Sequence, residues 1–381
     1  MEHLPLPADI WALLPALGVN PAEVMRAERM VGGLSDGRLY RLWLRNPGGL
    51  GRERTRVLKY AEPLAGWLGA ISDDALIREA QLAASGLLAA SGLLADLPRG
   101  IVTPTLAVAF HGPRSQPTGA ALLMRDAQPY LPCHPYQTPP GTLPTSARAL
   151  AERLAQLHAR FWNDPRLDDP ALGLMSPERA LLVTGPLGVA ERLLASDPLP
   201  YLTIADESWR DFFTLAGDAA SRRFRAIMEQ PDRMAQAINR LPRTLVHGDV
   251  WGPNMGWLPA RDGAPRRLLL FDWALALAGP GPYDILWQCG IWPTVSPTRL
   301  LAFYRAKLAR ALQAQRQPLD DATWLALADA GYLRTVLTCG EGMARLALTA
   351  PVGIARSSAL GWLRWWISRA LRAADRMEGV G

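Results

Sequence analysis

Apolar residues between positions 8 and 18 recur at helical spacing and predict a short helix that packs Trp11 and Leu14. From residue 27 to 45 the pattern changes to partial alternation. It predicts two strands, Glu28 to Gly32 and Arg38 to Leu44, around the turn Gly33-Leu34-Ser35-Asp36-Gly37. Arg54 to Tyr60 reads as a third strand. Ser72-Asp73-Asp74 predicts a helix start, with Ser72 as N-cap followed by acids that suit a helix N-terminus. That helix is expected to run on through Ile77, Glu79 and Leu82. Ile101 to Phe110 and Ala120 to Met124 predict a strand pair joined by a Gly/Pro loop. Three strands, one helix and two strands suit a small antiparallel sheet with a helix on one face.

A proline-rich connector follows, from Pro129 to Pro144, and the chain then turns mainly helical. Ser146 to Trp162, residues 176–229 and much of 298–376 carry helical spacing. One β segment interrupts them: Met255 to Leu258 and Leu268 to Phe271, around the turn from Ala260 to Pro265. With 381 residues the chain can bury a large core in two lobes. The division expected from the sequence is residues 1–126 and residues 127–381.

Composition narrows the class. A hydrophobic content of 49% and a mean hydropathy of +0.01 fit a water-soluble globular protein. Cys133, Cys289 and Cys339 are far apart and without C-x-x-C spacing, which argues against a disulfide framework or a zinc site. The first residues lack a basic signal-peptide region, and no run of about 18 apolar residues predicts a membrane span. A cytoplasmic protein is expected. The net charge of +6 comes from arginines spread along the whole chain, which describes a solvated surface better than a nucleic-acid footprint. Only two of the 41 Lys+Arg residues are lysines, Lys59 and Lys307, which makes each a candidate for a place that needs a compact ammonium.

The chemistry concentrates in His247-Gly248-Asp249-Val250-Trp251-Gly252-Pro253-Asn254 and in Phe271-Asp272-Trp273. A hairpin folds its strand ends together, so Asn254 before the first strand and Asp272 after the second can lie side by side. Both offer oxygen, which Mg²⁺ prefers. Asp249 lies five residues before Asn254 on a Gly/Pro loop and is placed to receive a proton from a hydroxyl. Phosphoryl transfer asks for this set: a positioned hydroxyl, a proton acceptor, and cations spread over the phosphates.

His-Gly-Asp-x-x-x-x-Asn followed by Asp-Trp resembles the signature of the aminoglycoside phosphotransferase and choline kinase family, relatives of protein kinases. Leu154-Ala155-Gln156-Leu157-His158-Ala159-Arg160-Phe161-Trp162 is similar to that family's Leu-x-x-Leu-His helix, with His158 structural rather than catalytic. Gly32-Gly33-Leu34-Ser35 resembles the phosphate-covering loop, which implies that Gly33 and Ser35 approach the nucleotide. The resemblance makes Lys59 the phosphate-pairing lysine and Glu79 its partner. It makes Met124, Arg125 and Asp126 the hinge that binds adenine through backbone. Asp284 is identified with the family's structural aspartate. The implied fold is α+β and protein-kinase-like, with a small antiparallel-sheet N-lobe and a larger, mainly helical C-lobe. The implied cofactors are ATP and Mg²⁺, with Asp249 as base and Asn254 and Asp272 as metal ligands.

The chain departs from the family pattern in places. Asp36 stands where asparagine is frequent, Pro280-Gly281 replaces a frequent Asp-Pro, and Ala274 follows Asp-Trp where an acid is common. None of these removes a catalytic group. Residues 285–381 hold six acids against twelve basic residues, which disfavours a polycationic aminoglycoside as acceptor. Trp251, Trp287 and Trp292 lie near the motif and could stack on a sugar ring, hold an apolar alcohol or cage a quaternary ammonium, though most tryptophans are expected in the core. The expected partner is a small hydroxylated molecule, neutral or weakly charged, with no nucleic acid and no stable membrane insertion. The competing reading is a kinase-like module that binds nucleotide or a partner without turnover. The last helix, with Trp362, Trp365 and Trp366 among arginines, is expected to dock on the helical lobe rather than lie on a membrane surface.

Overall fold

Residues 38–44 bury Tyr40, Leu42 and Leu44 on one side and leave Leu39, Arg41 and Trp43 half-exposed, as a period of two requires. That strand belongs to the first of two compact units in the computed structural model. The structure describes residues 6–30, 37–45, 54–87, 96–131, 145–193, 200–260, 265–291 and 294–379. The predicted phosphate loop, Gly33 and Ser35 included, lies outside the described residues, as do Asp36, Cys133 and Trp292.

The first unit takes residues 1–133, 168–174 and 251–276. Its strands are β1 (Val24–Arg29), β2 (Arg38–Leu44), β3 (Arg54–Ala61), β4 (Ile101–Val102), β5 (Thr105–His111) and β6 (Gly119–Arg125), then β8 (Met255–Leu258) and β9 (Arg267–Leu270). Strands β1, β2, β3, β6 and β5 form an antiparallel sheet in that order. One face carries Tyr40, Leu42, Leu58, Tyr60, Ala121 and Leu123, packed with Ile10 and Leu13 of α1 (Ala8–Leu13) and with Leu14 just after it. Lys59 alternates to the other face, opposite Leu122 of β6. Helices α2 (Gly66–Ile71) and α3 (Arg78–Leu87) complete the part before β4.

Three boundaries differ from the sequence expectation, each for a local reason. The helix expected over 8–18 ends at Leu13, with Leu14 as its C-cap, because Pro15 has no N–H to continue the helical hydrogen bonds. The helix expected from Ser72 starts at Arg78. Asp73 and Ile77 adopt positive φ (54° and 57°), which breaks the helix between them, and Asp74 Oδ1 accepts the Arg78 N–H (2.6 Å). Ser72 closes α2 instead. The strand expected over 101–110 is two, parted at Pro104, which has no N–H to give a ladder. β4 pairs in parallel with β9, whereas β5 joins the main sheet.

The second unit takes residues 134–167, 175–250 and 277–381. It holds α4 (Thr145–Arg160), α5 (Pro177–Leu182), α6 (Pro186–Leu193), α7 (Pro200–Ala216), α8 (Asp218–Glu229) and α9 (Pro231–Asn239). After β7 (Thr244–Val246), which pairs with β10 (Leu277–Gly279), come α10 (Pro282–Ile291), α11 (Pro297–Ala314), α12 (Asp321–Thr349) and α13 (Ile354–Gly379). The long helix α12 packs on α7, α10 and α13. Leu363 and Trp366 of α13 are buried, with Trp366 edge-on to Tyr332 of α12 at 5.7 Å, so the tryptophan-rich helix docks by its apolar side. Among the described residues no helix is long and apolar enough to cross a membrane.

One buried acid in α12 sets a pH dependence. Glu341 is half-buried as a residue, but its Oε2 has no solvent contact and no hydrogen-bond partner among the described residues. Burial pushes its carboxyl up to about 7, against the opposing pull of Arg345. A folded-state value above the unfolded one stabilises fully below the unfolded value and is lost as pH rises through the folded value. Glu341→Gln should therefore gain nothing at acid pH and about 3 kcal/mol over the natural chain by pH 8. Urea denaturation of both proteins at pH 5 and pH 8 measures the gap; a gap that does not grow with pH refutes the assignment.

Candidate active site

The centre of the first unit is an ionic cluster built from three distant stretches of chain. Lys59 Nζ, on β3, lies 2.6 Å from Glu79 Oε2 and 2.8 Å from Asp272 Oδ1. Lys59 and Glu79 are 7% and 4% exposed, so each charge is answered inside protein rather than by water. The other Glu79 oxygen, Oε1, accepts the backbone N–H of Asp272 (3.0 Å). Glu79 thus fixes both the lysine and the peptide that carries the second carboxylate. Burial opposes the Lys59 charge, but Asp272 and Glu79 outweigh it and hold its pKa above the ordinary lysine value.

Asp272 sits just past β9 with φ 62° and ψ 63°, a left-handed backbone that aspartate tolerates better than most residues. The hairpin of β8 and β9 brings Asn254 to the same end: the Phe271 N–H donates to the Asn254 carbonyl at 3.2 Å. Asn254 is buried and closes a short helical turn from Gly252. The expected neighbourhood of Asn254 and Asp272 is therefore present. Among the described residues no group of three or more His, Cys, Asp or Glu could cage a metal. An amide oxygen and one carboxylate instead fit a hard divalent cation that keeps waters or phosphates as its other ligands.

Arg78 belongs to no motif in the sequence, yet it holds this end of the unit together. It is buried beside Glu79, donates to the carbonyls of Gly173 (2.5 Å) and Ser72 (3.0 Å), and also bonds the Ala274 carbonyl. Ala274 lies two residues past Asp272, so one guanidinium braces the turn that carries the carboxylate. In the sequence Arg78 looks like any arginine at the start of an amphipathic helix.

The hinge candidates are mostly engaged. Met124 is buried on β6 opposite Val57, and the Arg125 N–H donates to the Pro104 carbonyl at 2.9 Å. Asp126 pairs with Arg41 (3.1 Å) and accepts the Gln128 N–H (3.1 Å). Arg125 and Asp126 line a cavity of about 300 Å³ with Thr105, Tyr130, Leu258 and Leu269. That volume is at the small end of ligand pockets.

Asp249 belongs to the second unit, on the loop after β7, and is half-buried. The loop hangs on Asp284 at the start of α10. Asp284 Oδ2 accepts the His247 N–H (3.0 Å), and Oδ1 accepts the Gly248 N–H (2.9 Å). His158 joins from α4, with Nε2 3.2 Å from Asp284 Oδ2 and Nδ1 2.7 Å from the Tyr304 hydroxyl. Burial alone would raise the Asp284 pKa; the His158 hydrogen bond and the amide of His247 outweigh it and hold the group ionised. His158 and Asp284 are fully buried within this framework. Trp287 is core as well, its ring 5.5 Å from the Arg334 guanidinium, and Trp251 is half-buried.

No protein-family model matches the chain, and no curated protein matches it by sequence. Solved structures do resemble it. An ethanolamine kinase from Plasmodium vivax aligns with a TM-score of 0.46 at 11% identity, over 92% of this chain and 83% of that one. A choline kinase from Cryptosporidium parvum Iowa II aligns with a TM-score of 0.44 at 10% identity, over 97% of this chain and 95% of that one. Both likenesses concern the course of the chain; the chemistry of the site rests on its own residues.

Proposed function

We propose that the protein is an ATP-dependent phosphotransferase that moves the γ-phosphate to a hydroxyl of a small molecule, neutral or weakly charged. The observation that carries this reading is the buried Lys59–Glu79–Asp272 cluster, drawn from positions 20 and 213 residues away from Lys59 in the chain. A lysine clamped by two carboxylates is a fixed, fully protonated charge suited to phosphate oxygens. In this reading Lys59 binds the nucleotide phosphates, Glu79 orients it, and Gly33 and Ser35 cover the phosphates. The 124–126 segment receives the adenine. Asn254 and Asp272 hold Mg²⁺. When bound, the metal ion neutralises charge on the phosphate oxygens.

Asp249 then aligns the acceptor hydroxyl and takes its proton as the new oxygen–phosphorus bond forms. The bond from the γ-phosphorus to the bridging oxygen breaks, and ADP leaves. The test is ADP release from Mg-ATP across a panel of hydroxylated metabolites and antibiotics. At least one neutral or weakly charged alcohol should stimulate release, with one phosphorylated product per ADP. A thermal-shift gain with Mg-ATP but no stimulated release would instead support a nucleotide-binding module without turnover.

A further inference from the structure

Gly248, the residue before Asp249, is held on both of its polar groups. Its N–H donates to Asp284 Oδ1 of α10 (2.9 Å), and its carbonyl accepts from Arg334 Nη2 of α12 (3.0 Å). Its φ of 84° is a left-handed conformation open to glycine. Two helices therefore fix the peptide planes on either side of this residue, and the chain leaves Gly248 in one direction. Asp284 secures the loop through its amides, whereas Arg334 secures it through the carbonyl that leads into Asp249.

Arg334 is costly to keep in that place. It is 1% exposed, and among the described residues it makes no ion pair. Its Nε donates to the Ala180 carbonyl of α5 (3.2 Å), and its Nη1 has no partner among the described residues. The guanidinium lies over the rings of Tyr283 (5.0 Å) and Trp287 (5.5 Å), which lock its plane. A buried cation whose direct contacts are neutral carbonyls and rings is a poor choice for stability, since an apolar side chain of similar size would pack without the desolvation cost. Its distinguishing contact is the one to the Gly248 carbonyl. The carboxyl groups whose field reaches it are those of Asp284 and Asp249.

We propose that Arg334 is a positioning residue for the phosphate-transfer step: by bracing the Gly248 carbonyl against α5 and α10 it sets the direction in which Asp249 presents its carboxylate. The assignment rests on the function proposed above. The clamp itself can be tested without it.

The test compares Arg334→Met and Arg334→Lys with the natural chain, using Leu337→Ala, a buried neighbour on α12, as a control for loss of packing. Arg334→Met should lower kcat about 100-fold with KM for Mg-ATP nearly unchanged, because a misplaced base costs turnover rather than nucleotide binding. Arg334→Lys should recover part of that loss, and Leu337→Ala should show no such pattern at a matched melting temperature. Hydrogen exchange over residues 244–250 should quicken in Arg334→Met more than in Leu337→Ala. An unchanged kcat in Arg334→Met, or a loss that Leu337→Ala reproduces, overturns the assignment. Should Arg334→Met fail to fold, Arg334→Lys carries the same comparison, with a smaller kcat loss expected and an unchanged kcat overturning it. If no alcohol stimulates ADP release in the natural chain, the proposed function fails, and loop exchange alone decides the clamp: equal exchange in natural chain and variant overturns it.

Discussion

Asp249→Asn should lower the rate of phosphate transfer by about 10³-fold or more while leaving the melting temperature within a few degrees of the natural chain. The change keeps size and shape but removes proton affinity. The loop does not depend on this side chain for its anchorage: Asp284 holds the amides of His247 and Gly248, and Arg334 holds the Gly248 carbonyl. The amide should therefore sit where the carboxylate sat and fail only at the proton. Steady-state ADP release with the best acceptor, beside a thermal melt, measures both halves. A variant that transfers phosphate at the natural rate would remove Asp249 from the mechanism.

Lys59→Met should be as severe for activity and far more severe for stability. It deletes the cation between two carboxylates and leaves Glu79 and Asp272 close together inside protein. Breaking a buried pair by removing one partner costs about 3–5 kcal/mol. Adding Glu79→Gln relieves the repulsion and should restore more than half of that loss, although transfer stays absent in both variants. The sign of the pH dependence follows from the raised Lys59 pKa. Its contribution is complete below the ordinary lysine value of about 10.4 and is lost only as pH climbs through the folded value. The stability gap between the Lys59→Met/Glu79→Gln double variant, which lacks the confronting pair, and the natural chain should then be flat between about pH 6 and 9. Urea denaturation of the single and double variants at both limits gives the answer. Equal stabilities of the single and double variants would mean that the two carboxylates do not confront each other.

Local patterns in the chain carry much of the site's framework. Partial alternation places β2, and turn residues between two apolar runs place the β8–β9 hairpin that brings Asn254 and Asp272 to one end. The rarity of lysine and its strand context point to Lys59, and a glutamate on the next helix points to Glu79. Boundaries are less legible. The helix expected from Ser72 begins at Arg78 because two residues with positive φ intervene, and propensity does not encode a left-handed aspartate or isoleucine.

The bracing arginines are illegible for another reason. Arg78 reaches a carbonyl 196 residues away, and Arg334 reaches one 86 residues away. Hydrogen bonds to backbone carry no residue-type signature, so sequence spacing cannot announce them. Arg334 does leave one signal. It is a lone charge within Tyr332-Leu333-Arg334-Thr335-Val336-Leu337, surrounded by small or apolar residues at helical spacing. A charge on a buried helix face needs a partner, and here the partner is the loop that bears Asp249.

The near absence of lysine also makes the chain a quiet background for amine chemistry. Its two side-chain ammoniums differ sharply: Lys307 is partly exposed and pairs with Glu152 at the surface, whereas Lys59 is enclosed and kept protonated. Acylating reagents attack neutral amines, so labelling should report Lys307 first and Lys59 only once its carboxylate clamp is loosened. A peptide map after mild acylation would then read the integrity of the Lys59 cluster as a single mass shift, with no assay of turnover required.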